Sequence, residues 1–255
     1  MKIRSKLGFM LFGLFGLINV SHAALTPLGN GLVNDDVLDI TWMQDANLVK
    51  TSCDADNALW QAFDPTAVIS NSGRSKAQIC TDNGLLNWFE AEAWVGVLRA
   101  QSYLGHNDWR QPATAQPDAA CSVQSAGGDY GFNCANVGSE LNHLFYTSLA
   151  NPNQLDDACF GTAPHCFQNT APFSNAQSFN YWSGSEYAPG SSSAWYFGTD
   201  SGFQSYGSKD RGNLFVWPVR SGQSVVAPQQ IPTLSLWGLG IMTLLLGFVA
   251  RRKAR

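Results

Sequence analysis

Three patterns predict an α+β fold, disulfide-bonded and built as a single domain, with a transmembrane helix near the C-terminal end. An alternating hairpin opens the exported part of the chain, two amphipathic helices occupy its middle, and an aromatic meander broken by Gly and Ser closes it. Six cysteines, Cys53, Cys80, Cys121, Cys134, Cys159 and Cys166, all fall within that part.

At the N-terminal end, Lys2, Arg4 and Lys6 precede an almost uncharged apolar run from Leu7 to Val20. Ser21-His22-Ala23 then offers small residues where a signal peptidase reads them, so residues 1–23 are expected to be removed on export. A retained N-terminal anchor is the competing reading, but the apolar run is short for a bilayer. Gly29 to Met43 reads as a hairpin, with Asn34-Asp35-Asp36 as its turn and Val37 to Trp42 as its second strand. The stretch between Cys53 and Cys80 reads as a stapled loop.

Asn87 to Leu104 reads as a helix, opened by a capping box of Asn87 and Glu90 and stopped by Gly105. Phe89, Ala93, Val97, Ala100 and Leu104 form its expected apolar stripe. A shorter helix is expected over 139–149, with Leu141, Leu144, Phe145 and Leu149 inward and Asn151-Pro152 ending it. Strands are expected around Trp182 and over 194–199, 202–208 and 214–220. The domain thus covers 24–222, and 223–230 is a polar linker.

Leu234 to Ala250 is uncharged and is followed by Arg251, Arg252, Lys253 and Arg255. At about 1.5 Å per residue this helix crosses most of a hydrocarbon core of about 30 Å. Its basic end stays cytoplasmic and the domain stays outside.

Charge narrows the partners. The expected signal peptide and tail together carry seven of the fifteen Lys and Arg and none of the nineteen Asp and Glu, which leaves the domain near −11. Such a surface repels nucleic acid and anionic lipid, so neutral glycans, cations or envelope proteins are the expected partners. An even cysteine count in an exported domain points to disulfides. Fifteen pairings are open, with sequence neighbours favoured because each such pair brackets a polar, Gly- or Pro-containing loop. A zinc site would need close Cys/His spacing, and no C-x-x-C word occurs.

Enzyme readings find little support. His106, His143 and His165 stand in no metal-binding word, and neither a G-x-S-x-G elbow nor a phosphate-cradling glycine loop is present. Asp108, Trp109 and Arg110 join a carboxylate, an indole and a guanidinium, as a binding site or as a turn pinned after the helix. Trp182, Tyr187, Trp195, Tyr196 and Tyr206 offer faces for sugar rings, although strand alternation sends about half inward. Asn34-Asp35-Asp36 offers calcium oxygens or a solvated turn. Gln116-Pro117-Asp118 looks like the calcium-and-sugar tripeptide of C-type lectins but lacks the Trp-Asn-Asp that should follow.

Two resemblances follow from particular words. Ile231, Pro232, Thr233, Leu234, Ser235, Leu236, Trp237 and Gly238, with the helix and arginines behind them, resemble the IPTLS-type C-terminal sorting signal. That resemblance implies cutting by an exosortase-type enzyme and passage to the cell surface or extracellular matrix. Val37 to Trp42, Trp94 through Gly105 to Pro112, Ser139-Glu140-Leu141, Tyr181-Trp182-Ser183, Ala194-Trp195 and Val216 to Arg220 together resemble the Lcl C-terminal domain family of bacterial envelope proteins. This implies a fold of the C-type-lectin-like or formylglycine-generating-enzyme-like kind and a non-catalytic binding or adhesion role. Its named member binds sulfated glycans, a preference at odds with the acidic surface here. Gln111 replaces the family's Leu, and Cys-bearing inserts flank that word. The alternatives are a structural matrix component without a small ligand and a cryptic enzyme of the formylglycine-generating-enzyme-like group, the latter without any cysteine beyond Cys166.

Overall fold

The computed structural model describes residues 25–67, 74–155, 159, 165–210 and 213–222. The expected signal peptide, linker, sorting motif and transmembrane helix lie outside them. Among the described residues no helix is long and apolar enough to cross a membrane.

The architecture is α+β with two antiparallel sheets. Strands β1 (Leu25–Pro27), β2 (Leu32–Asp35) and β3 (Ile40–Met43) form a meander in the first, and β7 (Val219–Ser221) joins it beside β3. Strands β4 (Asn180–Glu186), β5 (Ser193–Gly198) and β6 (Phe203–Ser208) form the second. The expected last strand over 214–220 therefore does not extend the late meander. Leu214 bridges Leu86 and Phe215 bridges Tyr181, after which Val219 pairs with Trp42 of β3. This crossing carries Trp217 into the core, 5.5 Å from Trp42, 5.3 Å from Tyr181 and 4.7 Å from Phe173 between ring centroids. Its indole N–H donates to the Met43 carbonyl at 2.8 Å, so burial leaves no lost hydrogen bond at that nitrogen.

The hairpin turn is displaced from its expected place. Asn34 and Asp35 belong to β2 and are buried, and the turn runs over 36–39. The Asp35 carboxylate accepts from the amides of Val37 and Leu38 at 3.2 and 3.1 Å, closing the turn from its first residue. Asp39 takes the left-handed conformation that lets the chain reverse.

The stretch expected as a loop between Cys53 and Cys80 holds helices α1 (Leu48–Asp54), α2 (Ala58–Ala62) and α3 (Lys76–Thr81). Asn47, Asn57 and Ser75 cap them in turn, the last with a capping box to Gln78. Disulfides join Cys53 with Cys80, Cys121 with Cys134 and Cys159 with Cys166.

Helix α4 (Trp88–Ala100) starts at the expected Asn87–Glu90 capping box but ends earlier, before a left-handed Ser102 and a short 3₁₀ turn over Tyr103–Gly105. Its core face is Ala91, Trp94, Val95 and Leu98, one step round from the stripe assigned from sequence. Phe89, Ala93 and Val97 flank that face, and Ala100 is exposed. Helix α5 (Glu140–His143) passes into a π-helical turn over Leu144–Ser148 and buries Leu141, Leu144, Phe145 and Leu149 as expected.

Candidate functional site

Four of the words that carry the second resemblance are far apart in sequence, and folding brings them into one polar network. Arg110 forks onto Glu140 through two hydrogen bonds of 2.7 and 2.6 Å, a bidentate geometry that holds both side chains in one plane. Glu140 also accepts the Ala113 amide at 2.7 Å. The Pro112 carbonyl accepts from the Gly184 amide and the Ser183 hydroxyl, each at 2.9 Å. Arg110 and Val219 exchange backbone hydrogen bonds, and Arg220 pairs with Asp108 at 2.8 Å. Burial pushes the Asp108 carboxyl up, but the hydrogen bond and charge of Arg220 outweigh it and hold it below the usual range.

Trp109 is fully buried and donates to the Tyr103 carbonyl at 3.1 Å. Asp108, Trp109 and Arg110 thus each have a protein partner, Arg110 tying the segment after α4 to α5 and Asp108 tying it to β7. Gln111 donates to Glu92 at 2.7 Å. At Asn34-Asp35-Asp36 the Asp35 oxygens are taken by the two turn amides and by the Ser148 hydroxyl at 3.1 Å.

The late aromatics divide by depth. Trp182 is buried and donates to the Leu86 carbonyl at 2.9 Å, so its face is closed to a ligand. Tyr196 is half-buried edge-on to Trp182. Trp195 is 2% exposed and forms the floor beneath Tyr187 and Tyr206, whose rings stand edge-on to it at 5.5 and 5.6 Å. Tyr187 and Tyr206 stack on each other at 3.7 Å and 10°, with Tyr130 edge-on to Tyr206 at 6.4 Å. Tyr206 remains 38% exposed. Strand register explains the gathering: Trp195 pairs with Tyr206, and Gly131 bridges Gln204, which brings the Cys121–Cys134 loop onto the edge of β6.

Beside this cluster lies an open cleft of about 330 Å³, lined by Gln116, Pro117 and residues 125–129 on one side and by Ala188 and Pro189 on the other. None of these residues is basic. The glycines of Ser125–Asp129 let backbone lie flat on the rings: a Cβ at Gly128 would stand 2.6 Å from the Trp195 indole, and one at Gly127 would strike the Tyr187 hydroxyl.

Gln116 closes the loop with two hydrogen bonds to the Asp129 backbone, at 2.7 and 2.9 Å. Asp118 accepts from the amides of Ala120 and Asn136, and Asp129 from those of Asp118 and Ser125. Gln116 and Pro117 therefore line the cleft, while the Gln116 and Asp118 side chains are bonded into the protein. Cys121 and Cys134 near Asp118, like Cys53 and Cys80 near Asp54, are bonded to each other rather than available as thiolates. Sequence reading passed over Gly127, Gly128, Asp129 and Tyr130; a Gly-Gly pair inside a cysteine-bracketed loop was the available signal.

The family model for the Lcl C-terminal domain matches residues 31–220, and that for the IPTL-CTERM motif matches residues 229–255. No curated protein and no solved structure matches the chain. The family match takes in every described helix, the strands from β2 onward and the whole polar network between Asp108 and Arg220, and this chain belongs to the Lcl C-terminal domain family, followed by a sorting motif that marks an exported protein of the cell envelope.

Proposed function

We propose that the chain is a non-catalytic binding module of C-type-lectin-like fold, cut at Ile231 to Ser235 by an exosortase-type enzyme and displayed at the cell surface or in the extracellular matrix, where it adheres to neutral glycans. The observation that carries the binding reading is the Tyr187–Tyr206 stack, with Tyr206 38% exposed, beside a cleft with no basic lining residue. Aromatic faces cover the apolar C–H surface of a sugar, and a lining without cations offers nothing to a sulfate. Two antiparallel sheets flanked by helices support the lectin-like reading.

The test titrates the full chain, purified in detergent, with maltohexaose, cellohexaose and mannohexaose while following intrinsic fluorescence. Saturable binding by at least one, weakened about tenfold or more in Tyr206→Ala, is the expected result. Retention in the cell-surface fraction without binding to any of the three would favour a structural matrix component instead. Replacing Pro232 and Thr233 by Ala should leave a membrane-bound chain that keeps Arg251 to Arg255 by intact mass; normal processing of that variant would exclude the sorting step as stated.

A further inference from the structure

The stacked tyrosines have a reactivity that does not depend on a ligand. We propose that Tyr187 and Tyr206 are an oxidative cross-linking site, joined ring to ring by a carbon–carbon bond when a peroxide-consuming peroxidase reaches the envelope protein. Among the described ring pairs theirs is the parallel stack, at 3.7 Å and 10°. The parallel stack brings ring carbons of the two phenols into van der Waals contact. Tyr206 is 38% exposed and gives an oxidant its point of entry. Tyr130 meets Tyr206 edge-on at 89°, presenting ring hydrogens to it rather than a face.

The chemistry balances. Each phenol loses one electron and one proton to become a phenoxyl radical, with spin on the ortho carbons. The two radicals combine in a new C–C bond, and the hydrogens on the joined carbons move to the oxygens, restoring both phenols. Hydrogen peroxide takes up the two electrons and two protons and leaves as two waters. The product ties the 187–192 loop, already held by the Lys209 ammonium on the Ser191 carbonyl at 2.8 Å, permanently to β6.

The full chain in detergent is treated with hydrogen peroxide and a haem peroxidase, and in parallel by ruthenium tris-bipyridine photo-oxidation, which removes any limit from enzyme size. Dityrosine fluorescence should appear in the monomer band, with an intact mass lower by two hydrogens and a linked peptide pair containing Tyr187 and Tyr206. Tyr187→Phe keeps the ring stack but should lose the product, whereas Tyr130→Phe should keep it. Linkage of Tyr130 to Tyr206, fluorescence confined to covalent dimers, or oxygen uptake without linkage would each overturn the site. Because Tyr187→Phe retains the aromatic face, its sugar titration reports on the glycan reading separately.

Discussion

His143 shows how one buried side chain couples this fold to pH. It is 6% exposed on α5, and its Nε2 finds no hydrogen-bond partner among the described residues. Burial lowers its pKa, with the Asp35 charge opposing. A base whose folded pKa lies below its unfolded value of about 6.5 binds protons more readily when unfolded, so stability is complete above that pH and falls as pH drops through it. His143→Gln should flatten this part of a urea-midpoint profile between pH 7 and 5; an unchanged slope would place the sensitivity elsewhere. A second loss belongs to Asp108, whose folded pKa is lowered, and begins below about pH 4 as the carboxylate is protonated and its pair with Arg220 breaks. Glu140 carries a larger share at neutral pH. Glu140→Ala strands the Arg110 guanidinium and the Ala113 amide together and should cost about 2–3 kcal/mol by chemical denaturation, the lower end because Arg110 is partly exposed.

Among the elements, the 125–129 segment is the most demanding of its sequence. Gly128 combines a φ of +128° with the Trp195 ring at 2.6 Å from any added Cβ. Gly128→Ala is therefore expected to destabilise by about 2 kcal/mol or more and to disturb the cleft, read as a shift in Trp fluorescence. Gly190, also beside Tyr187, would meet only ordinary contact at 3.7 Å, and Gly190→Ala should stay within about 0.5 kcal/mol. Equal effects at the two positions would mean the close approach to Trp195 does not exist. Helix α4 teaches the complementary lesson. Its start was legible because Asn87 and Glu90 bond each other's backbone locally. Its inward face was not, because half-buried Phe89 and Val97 are as apolar as the core residues beside them, and only the partner surfaces decide which are covered.

For the whole molecule, three disulfides close segments with sequence separations of 27, 13 and 7. Chain entropy makes the longest loop the most stabilising, with a spread of about 1 kcal/mol between first and last. Paired Cys→Ser variants should lose stability in the order Cys53–Cys80, Cys121–Cys134, Cys159–Cys166, measured by urea midpoints at constant slope. Only the second should also impair sugar binding, because residues 125–129 lie inside its loop.

Some of this protein could be read from sequence: its α+β class, the pairing of neighbouring cysteines, the starts of α4 and α5 though not α1 to α3, and the words that define its family. These are local signals, carried by capping residues, alternation and short spacing, and they act over a few residues of chain. The division of the strands into two sheets, the crossing of 214–217 between them, the face of α4 and the union of Tyr130, Tyr187 and Tyr206 are non-local. Each depends on which distant surfaces cover one another, because burial free energy belongs to a pair of surfaces and not to a segment. The same holds for Asp108, Trp109 and Arg110, whose residue types suit a binding site and a structural lock equally well. Tertiary contact supplies each with a protein partner, Tyr103 for Trp109, Glu140 for Arg110 and Arg220 for Asp108, and no local signal could have named those partners.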